Sequence, residues 1–531
     1  MLEKRNTLWG HSLRGKWLFL VTAVLCISIV SCSPKNREVN GTGEGSALEE
    51  QQKQIDELNS DEIKENQEQP VIYEAEQETL LGGTKVEATK KNYSGSGYVV
   101  GFENEEDGIE FTVEVEEDGH YDLNFISYSF GGAKSNFIYV DGEKVGEVSA
   151  LTDGFDDSIL KRIYLSKGVH NIRLMKSWGW IGVDKLQISK SNPIEESVYQ
   201  VSAKLINPNA DDNAKRLMSY LTDVYGKYIL SGQYGDGGIG SREVMQIFKA
   251  TGKIPAVIGL DLMDYSPSRV EQGSKGKAVE HAIKYNEIGG IVTFCWHWNA
   301  PTKYLYNTPK DPWYSGFYTS ATNINLADII GGKDQEGYDL LMADIDAIAI
   351  ELKHLEEAGV PILWRPLHEA SGGWFWWGAS GAEPYIELWK LMYDRLTNVH
   401  QINNLIWVWN GQHKEWYPGD EYVDIMGIDI YAGNHVYTSQ SGAFCDLLEY
   451  TDTNKMIALT ENGCLVDPDL VFRDGTIWSW FATWSGDFMV SKAGFLSEEY
   501  NEKDMLIKVY QHEKVLTKDE LPDLKNYEIY E

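Results

Sequence analysis

Between residues 198 and 515, short apolar runs alternate with stretches that have helical periodicity. One helix is predicted clearly by apolar residues that recur every three or four positions: Leu341, Ile345, Ile348, Leu352 and Leu355. Gly359 and Pro361 follow it as stop signals. Eight apolar runs are predicted as strands: 228–234, 254–262, 290–298, 361–369, 404–410, 423–431, 455–461 and 478–484. Repeated βα units with nearly continuous apolar strands predict a closed parallel sheet, the (β/α)8 barrel, over residues 191–515.

A different pattern covers residues 71–190, where apolar and polar positions alternate with a period of two. The predicted strands, separated by Gly and Asp turns, include residues 109–115, 121–126, 136–140, 163–165 and 171–174. Short strands at regular spacing predict an all-β sandwich of jelly-roll type. The fold class is therefore an α/β barrel preceded by a β-sandwich module.

The N-terminus has the pattern of an export signal. Lys and Arg residues precede the apolar stretch 18–30, and Cys32 follows it after a small residue. We predict a lipoprotein-type signal peptide over residues 1–32, with Cys32 as the lipidated residue; the alternative is an ordinary signal peptide cleaved nearby. Residues 33–70 are polar and predict a flexible acidic linker, and residues 516–531 an acidic tail.

Composition narrows the range of partners. The net charge is −34, from 47 basic and 81 acidic residues, which argues against nucleic acid or anionic lipid as a partner and suits a neutral polymer. Cys295, Cys445 and Cys464 are scattered and give neither a disulfide framework nor a zinc motif. Membrane contact is expected only through the lipid anchor.

The end of the fourth predicted strand carries the strongest chemical signal. Arg365, His368 and Glu369 end the apolar run, and four aromatic residues beginning at Trp374 follow a glycine turn. Aromatic faces stack on sugar rings, and a carboxyl group can protonate a glycosidic oxygen. We therefore predict a sugar site; the alternative is a surface salt bridge beside buried tryptophans.

A second glutamate, Glu461, ends the seventh predicted strand. Strands four and seven lie on opposite sides of a barrel mouth, so Glu369 and Glu461 can face each other across a glycosidic bond. Hydrolysis with retention needs two carboxyl groups about 5–5.5 Å apart. We also expect Arg365 and Tyr431 to donate hydrogen bonds to Glu461 and favour its charged form, while surrounding indoles raise the pKa of Glu369. The alternative for Glu461 is a helix cap, because Asn462-Gly463 is a turn signal.

Five segments in order resemble glycoside hydrolase family 26, a clan A family dominated by β-mannanases: residues 296–299, 316–322, 365–378, 427–431 and 460–463. The resemblance implies that Glu369 is the acid/base and Glu461 the nucleophile, and that His368 replaces an asparagine of the wider clan. It also places five residues around the sugars that flank the scissile bond: His297, Trp374, Asp429, Tyr431 and Trp484. Ala370-Ser371 departs from the Met-Asn that the family more often shows.

The first module resembles carbohydrate-binding modules of families 35 and 6, through residues 73–76 and 182–186. The resemblance implies a structural Ca²⁺ held by Glu74, Glu76 and Asp184. Two glutamates two positions apart in a strand share one face, which suits a hard cation; the alternative is a pair of solvated side chains. Trp178, near Trp180, is the candidate ligand platform, with burial in the core as the alternative.

Together these features predict a cell-surface, monomeric, retaining endo-β-1,4-mannanase that acts on mannan, galactomannan or glucomannan and needs no catalytic cofactor. Alternatives within the family are an exo-acting mannobiohydrolase and a mixed-linkage β-glucanase or β-1,3-xylanase. A non-catalytic surface glycan-binding lipoprotein is the alternative of another class, and the presence of both Glu369 and Glu461 argues against it. The aromatic loop 299–335 is expected to form a cleft wall or a hydrophobic mini-core.

Overall fold

A computed structural model describes residues 69–530, which form two compact units, residues 69–192 and 193–530. The predicted signal peptide, its Cys32 and the predicted linker up to residue 68 lie outside the described residues. Among the residues described, none of the helices has the length and apolar character needed to cross a lipid bilayer.

The first unit is a sandwich of two antiparallel sheets. One sheet has the order β3-β4-β11-β6-β9 with β1 also on β11, and the other has the order β2-β5-β10-β7-β8. Its strands are β1 Val71–Glu74, β2 Thr79–Leu81, β3 Lys85–Glu87, β4 Tyr98–Val100, β5 Gly108–Val115, β6 Gly119–Ser129, β7 Lys134–Val140, β8 Glu143–Ala150, β9 Asp156–Leu165, β10 Gly168–Met175 and β11 Ile181–Lys190. Alternate residues of these strands fill the core, as the period of two predicts; Ile109, Phe111 and Val113 of β5 are examples.

Strand β8 was not predicted from the alternation of the sequence. A β-bulge lies between Ile138 and Tyr139 of β7, so that Ile138 pairs with Gly146 and Tyr139 with Lys144. The extra residue, Val145, shifts the apolar positions out of alternation.

The second unit is a closed barrel of eight parallel strands, as predicted. They are β13 Gly232–Tyr234, β14 Val257–Asp261, β15 Ile291–Trp296, β16 Ile362–Pro366, β17 Leu405–Trp409, β18 Ile425–Ile430, β19 Met456–Asn462 and β20 Phe481–Thr483. The first is shorter than the predicted 228–234, because β12 (Ile229–Leu230) leaves the barrel and pairs in parallel with β21 (Val515–Leu516). The chain changes partner at Ser231, whose hydroxyl and amide both donate to the Leu516 carbonyl.

The α-helices of this unit are α1 Asp212–Val224, α2 Arg242–Thr251, α3 Pro267–Glu271, α4 Ala278–Glu287, α5 Leu326–Ile330, α6 Gln335–Glu357, α7 Ala382–Asp394, α8 Ser441–Leu448, α9 Pro468–Asp474 and α10 Lys503–Gln511. The periodic residues predicted between 341 and 355 lie on the buried face of α6. Its ends follow the sequence signals. Asp334 caps the N-terminus by accepting from the Gly337 amide at 2.9 Å, and Gly359 follows the last turn with φ of 70°.

Candidate active site

The fourth barrel strand ends earlier than its apolar run. Strand β16 stops at Pro366, and both Leu367 and Glu369 adopt a left-handed backbone with φ of 53°. Non-glycine residues rarely adopt this conformation, and such residues concentrate at functional sites. Here two such residues lie within one turn of three residues. This turn sets Glu369 at the barrel mouth, where its amide donates to the Asn410 carbonyl at 2.8 Å.

Three carboxyl groups converge at this mouth. Oxygen atoms of Glu369, Asp429 and Glu461 all lie within 4.8 Å of one another. Asp429 and Glu461 are buried, whereas Glu369 is partly exposed. The structure therefore brings together the two glutamates that the sequence places 92 positions apart.

Glu461 is held by two donors. Its Oε1 accepts from the Arg365 guanidinium, and its Oε2 accepts from the Tyr431 hydroxyl at 2.7 Å. Both hydrogen bonds were expected from the sequence. Arg365 is fully buried and also donates to Asp429 at 2.8 Å and to the Tyr234 hydroxyl at 3.0 Å.

Asp429 has its oxygens occupied by protein groups. Besides Arg365 at Oδ2, its Oδ1 accepts from the Asn410 amide at 2.6 Å and from the Thr460 hydroxyl at 2.7 Å. Its carboxylate therefore fixes Arg365 under Glu461.

Glu369 accepts one side-chain hydrogen bond, from the Trp374 indole at 2.9 Å. Trp374 leaves 44% of its surface exposed, so its ring forms part of the open wall. Burial and the neighbouring Asp429 raise the pKa of Glu369 to about 7. This carboxyl group therefore holds its proton to a higher pH than an ordinary glutamate does.

The pKa of Glu461 is also raised, by burial first and by Asp429, while Arg365 and Tyr431 act in the opposite direction. The three carboxyls face a single guanidinium, so they share a proton among them. Each oxygen of Glu461 accepts a hydrogen bond, whereas the Glu369 carboxyl group accepts one from the part of the chain that the structure describes. This asymmetry favours the shared proton on Glu369.

His297 and His368 lie beside the carboxyl groups and contact each other, with their Nε2 atoms 3.2 Å apart. The ring of Trp484 lies 5.9 Å from His297 and 4.7 Å from Tyr234, measured between centroids. Every residue predicted for the barrel site therefore lies at the same mouth.

Tyr234, the last residue of β13, was not predicted from the sequence as a site residue. Gln233 is buried, and its amide donates to backbone carbonyls, including that of Thr483 at 2.9 Å. Alternate residues of a strand face opposite sides, so the neighbouring Tyr234 faces Arg365. Its position at the strand end was the available signal.

The loop 299–335 contains both buried and exposed aromatic residues. Tyr304 and Phe317 are buried in the barrel core, whereas Tyr306 and Tyr318 are 50% and 39% exposed. The Thr319 amide donates to the Trp374 carbonyl at 2.8 Å, so the loop braces the aromatic wall.

In the first unit, three aromatic side chains are exposed. Phe130, Trp178 and Trp180 are 47%, 53% and 62% exposed, so burial of the tryptophans in the core is excluded. The Phe130 amide donates to the Trp180 carbonyl at 2.9 Å, which places these residues at one end of the sandwich. Beside them lies a cavity of about 410 Å³ lined in part by Phe130, Lys90 and Asp153.

The predicted calcium ligands converge on one loop but not by strand alternation. Glu74 ends β1, whereas Glu76 lies in a 3-10 turn, Ala75–Gln77, so the expectation of two glutamates on one strand face is wrong. The Ser94 hydroxyl donates to Glu74 at 2.6 Å and to Asp184 at 3.1 Å. Glu76 accepts from the backbone of the same loop, and its Oε2 is buried without a hydrogen-bond partner among the described residues.

Comparison with known proteins agrees with this geometry. Residues 206–520 match the model of glycosyl hydrolase family 26, and residues 71–191 match that of carbohydrate binding module (family 35). A mannan endo-1,4-beta-mannosidase of Thermothelomyces thermophilus is 44% identical over 455 residues, 85% of this chain and 90% of that protein. Mannan endo-1,4-beta-mannosidase B of a Piromyces species is 35% identical over 87% of this chain and 79% of its own.

Among solved structures, a GH26-CBM35 beta-(1,4)-mannanase of Podospora anserina is similar with a TM-score of 0.60 and 41% identity. The match covers 86% of this chain and all of that one. The family model spans more than half of the sequence and includes both glutamates of the barrel mouth. The chain therefore belongs to glycosyl hydrolase family 26, with a family 35 carbohydrate-binding module ahead of its barrel.

Proposed function

We propose that this protein is an endo-β-1,4-mannanase that cleaves with retention of configuration, with Glu369 as acid/base and Glu461 as nucleophile. The observation that carries the proposal is the approach of their carboxylate oxygens to within 4.8 Å, which matches the short separation of retaining enzymes. The names of the relatives that span most of this chain support β-mannan as the substrate.

In the first step, a carboxylate oxygen of Glu461 attacks the anomeric carbon while the bond to the leaving oxygen breaks. The proton of Glu369 moves to that oxygen, and a pKa of about 7 keeps enough of this carboxyl protonated at neutral pH. Arg365 and Tyr431 orient the attacking carboxylate through their hydrogen bonds.

In the second step, Glu461 is a neutral ester and no longer repels negative charge on Glu369. The ionised Glu369 takes a proton from water, the water oxygen attacks the anomeric carbon, and Glu461 leaves as a carboxylate. We propose that His297, His368, Trp374 and Trp484 line the sugar positions on either side. Asp429 acts on the nucleophile Glu461 through Arg365, because protein donors occupy both oxygens of Asp429.

Product analysis on linear mannan, galactomannan and mixed-linkage β-glucan tests the reaction. We expect a spread of mannooligosaccharides that disappears in Glu461→Ala and Glu369→Ala and persists in Glu383→Ala, a matched change at an exposed glutamate of α7. Mannobiose alone from the start would replace the endo assignment with exo action. Cleavage of glucan but not mannan would overturn the assignment of mannan as the substrate. Binding of a polysaccharide without cleavage would favour the alternative of a non-catalytic glycan-binding protein.

Azide rescue distinguishes the two glutamates. With an activated aryl mannoside, Glu369→Ala is expected to accumulate the glycosyl-enzyme and release a β-mannosyl azide. Glu461→Ala is expected to give the inverted α-mannosyl azide, because azide then replaces the missing nucleophile. The opposite assignment of anomers by NMR would exchange the roles.

For the module we propose glycan binding on the exposed aromatic end, with Trp178 as the stacking platform. Affinity electrophoresis of the full chain in mannan should show retardation that Trp178→Ala weakens. Phe248→Ala, at an exposed phenylalanine of α2, serves as the control.

We also propose that the module holds a structural Ca²⁺ through Glu74, Glu76 and Asp184. Clustered carboxylates and the buried, unpartnered oxygen of Glu76 suit a hard cation. In the full chain, EDTA should lower the unfolding temperature of the module, and added Ca²⁺ should restore it. Glu76→Ala should remove the response to EDTA; a response that persists would exclude Glu76 as a ligand.

For location we propose export and lipid anchoring at Cys32, with the enzyme monomeric at the cell surface. Membrane-fraction activity that becomes soluble in Cys32→Ser would support the anchor. Mass spectrometry of the mature N-terminus separates it from an ordinary cleaved signal peptide.

A further inference from the structure

A chain of three side chains leads from the second barrel strand to the segment that carries Glu369. Asp261 is the last residue of β14, His297 follows β15, and His368 follows β16. Asp261 Oδ2 lies 2.7 Å from His297 Nδ1, and His297 Nε2 lies 3.2 Å from His368 Nε2. The three side chains are buried or nearly so.

The surroundings of Asp261 favour its ionised form. Its Oδ1 accepts from the backbone amides of His297, at 3.1 Å, and Met263, at 2.8 Å. Burial alone would raise its pKa, but His297 and these hydrogen bonds hold it below the usual value. A carboxylate has no proton to donate, so the hydrogen between Asp261 and His297 belongs to His297 Nδ1.

This hydrogen sets the order of protons in the histidine pair. The two facing Nε2 atoms share one hydrogen, so one of them donates and the other accepts. The surroundings of His368 make its Nε2 the donor and His297 Nε2 the bare acceptor. Burial first, and then Arg365 and His297, lower the pKa of His368 well below its ordinary value, so that ring is neutral and its Nδ1 is bare. His368 Nδ1 is buried and without a partner among the described residues, which a bare acceptor tolerates better than an N–H group does.

His368 is the residue before Glu369, and the main chain is held on both sides of it. The His368 carbonyl accepts from the Trp377 indole at 2.9 Å, and the Glu369 amide donates to Asn410. The His297 hydrogen bond fixes the side chain between these anchors. The orientation of residue 368 therefore determines where the strained Glu369 points.

We propose that Asp261 is a positioning residue that fixes the proton order of the His297–His368 pair and, through His368, orients Glu369. This inference rests on the proposed role of Glu369 as the acid/base. Asp261 acts through the two histidines and not on the sugar directly.

The test is the isosteric change Asp261→Asn. The backbone amides of His297 and Met263 still need an oxygen acceptor, so they hold the side-chain oxygen of the new asparagine at the position of Oδ1. The NH₂ group of that asparagine then faces His297 Nδ1 and can donate to it only if that nitrogen carries no hydrogen. Both rings then adopt the other tautomer, and His368 is left with a buried N–H on Nδ1. We expect kcat to fall about 10–100-fold, the range typical of residues that orient a reacting group, with KM little changed.

The tautomers of His297 and His368 distinguish this proposal from a purely structural role of Asp261, because loss of packing alone would not reverse them. Full-length protein labelled with ¹⁵N-histidine should show Nδ1–H for His297 and Nε2–H for His368, assigned with His297→Gln and His368→Gln. Asp261→Asn should reverse both, and Asp264→Asn, a half-exposed neighbour on the same loop, should leave tautomers and kcat unchanged.

A wild-type spectrum without the predicted tautomers overturns the proposal, even if Asp261→Asn fails to fold. Reversed tautomers with wild-type kcat overturn it as well. Retention of activity by Glu369→Ala would instead overturn the proposed role of Glu369, and the tautomer measurement would stand independently of that result.

Discussion

Arg365 and Asp429 form an ion pair, Nη1 to Oδ2 at 2.8 Å, with both side chains completely shielded from solvent. Removing two charges from water costs more than a single contact returns unless further hydrogen bonds satisfy them. Here Arg365 also donates to Glu461 and Tyr234, and Asp429 accepts from Asn410 and Thr460. The pair therefore places a fixed positive charge under Glu461.

Replacement of Arg365 tests this arrangement. Arg365→Lys keeps the charge but cannot reach Asp429, Glu461 and Tyr234 together, so we expect kcat to fall about 10²–10³-fold, as when one preorganised donor is lost. Arg365→Met leaves buried carboxylates unpaired and should cost about 3–5 kcal/mol of unfolding free energy. Kinetics and urea denaturation measure the two effects.

Arg395→Lys is the control, because its pair with Asp346 is partly exposed and should contribute at most about 1 kcal/mol. A kcat of Arg365→Lys close to the wild-type value would contradict the proposed role of the guanidinium.

The pH dependence of kcat/KM should report Glu369. Because this carboxyl must be protonated to act as acid, activity should decline as pH rises through its pKa of about 7. The Trp374 indole stabilises the ionised form, so Trp374→Phe should raise that pKa and move the alkaline limb to higher pH. Tyr306→Phe, at an exposed loop position, should leave the limb in place. A shift to lower pH in Trp374→Phe would be inconsistent with this assignment.

Stability of the module should depend on His170. Its Nδ1 faces Asp141 at 2.6 Å and its Nε2 faces the Ser166 carbonyl at 2.7 Å, so both nitrogens donate when the ring is charged. Burial lowers the pKa of His170, but the hydrogen bonds to Ser166 and Asp141 raise it by more. The net shift of the pKa is therefore upward. A raised histidine pKa adds stability below the unfolded value of about 6.5 that is lost as pH rises through the folded value.

Calorimetry of the full chain should therefore show the unfolding temperature of the module falling from about pH 6 to pH 8. His170→Asn should flatten that slope, and an unaltered slope in this variant would assign it to another group. The barrel transition, measured in the same scan, is the internal control.

Gly378 is predicted to be intolerant of a side chain. A Cβ at this position would lie 1.9 Å from the Ala370 carbonyl oxygen, directly after Glu369. Gly378→Ala should displace that segment, lower stability by about 1–3 kcal/mol and reduce kcat. At Gly240 a Cβ would meet nothing within 4 Å, so Gly240→Ala is the matched control. Equal behaviour of the two variants would show that the Ala370 turn relaxes freely.

Much of the fold could be predicted because local patterns coincide with tertiary burial. The period of α6 and its end at Gly359 follow from residues that lie close together in sequence, and the eight strands are apolar because a barrel buries both faces. Strand β8 was not predicted because its pairing with β7 contains a bulge. A bulge is a property of two paired strands and cannot be read from one of them.

In the active site, too, some residues could be predicted from local sequence and others depend on how the strands pair. Glu369, Glu461, Arg365 and Tyr431 were recognised because strand ends meet at one mouth in a barrel. Tyr234 was not, since one residue of register decides whether Gln233 or Tyr234 faces inward. Glu76 was placed on a strand face, whereas a 3-10 turn directs it to the loop that contains Ser94.

The sequence by itself determined the two modules, the barrel and the identity of the two glutamates, because hydrophobic period and residue type are local properties. Tertiary structure alone decided which groups share a proton. The convergence of three carboxyls within 4.8 Å around one buried guanidinium, and the facing of His297 and His368, bring together residues from separate strands. Coulomb energies and proton positions depend on those distances, and no sequence spacing encodes them.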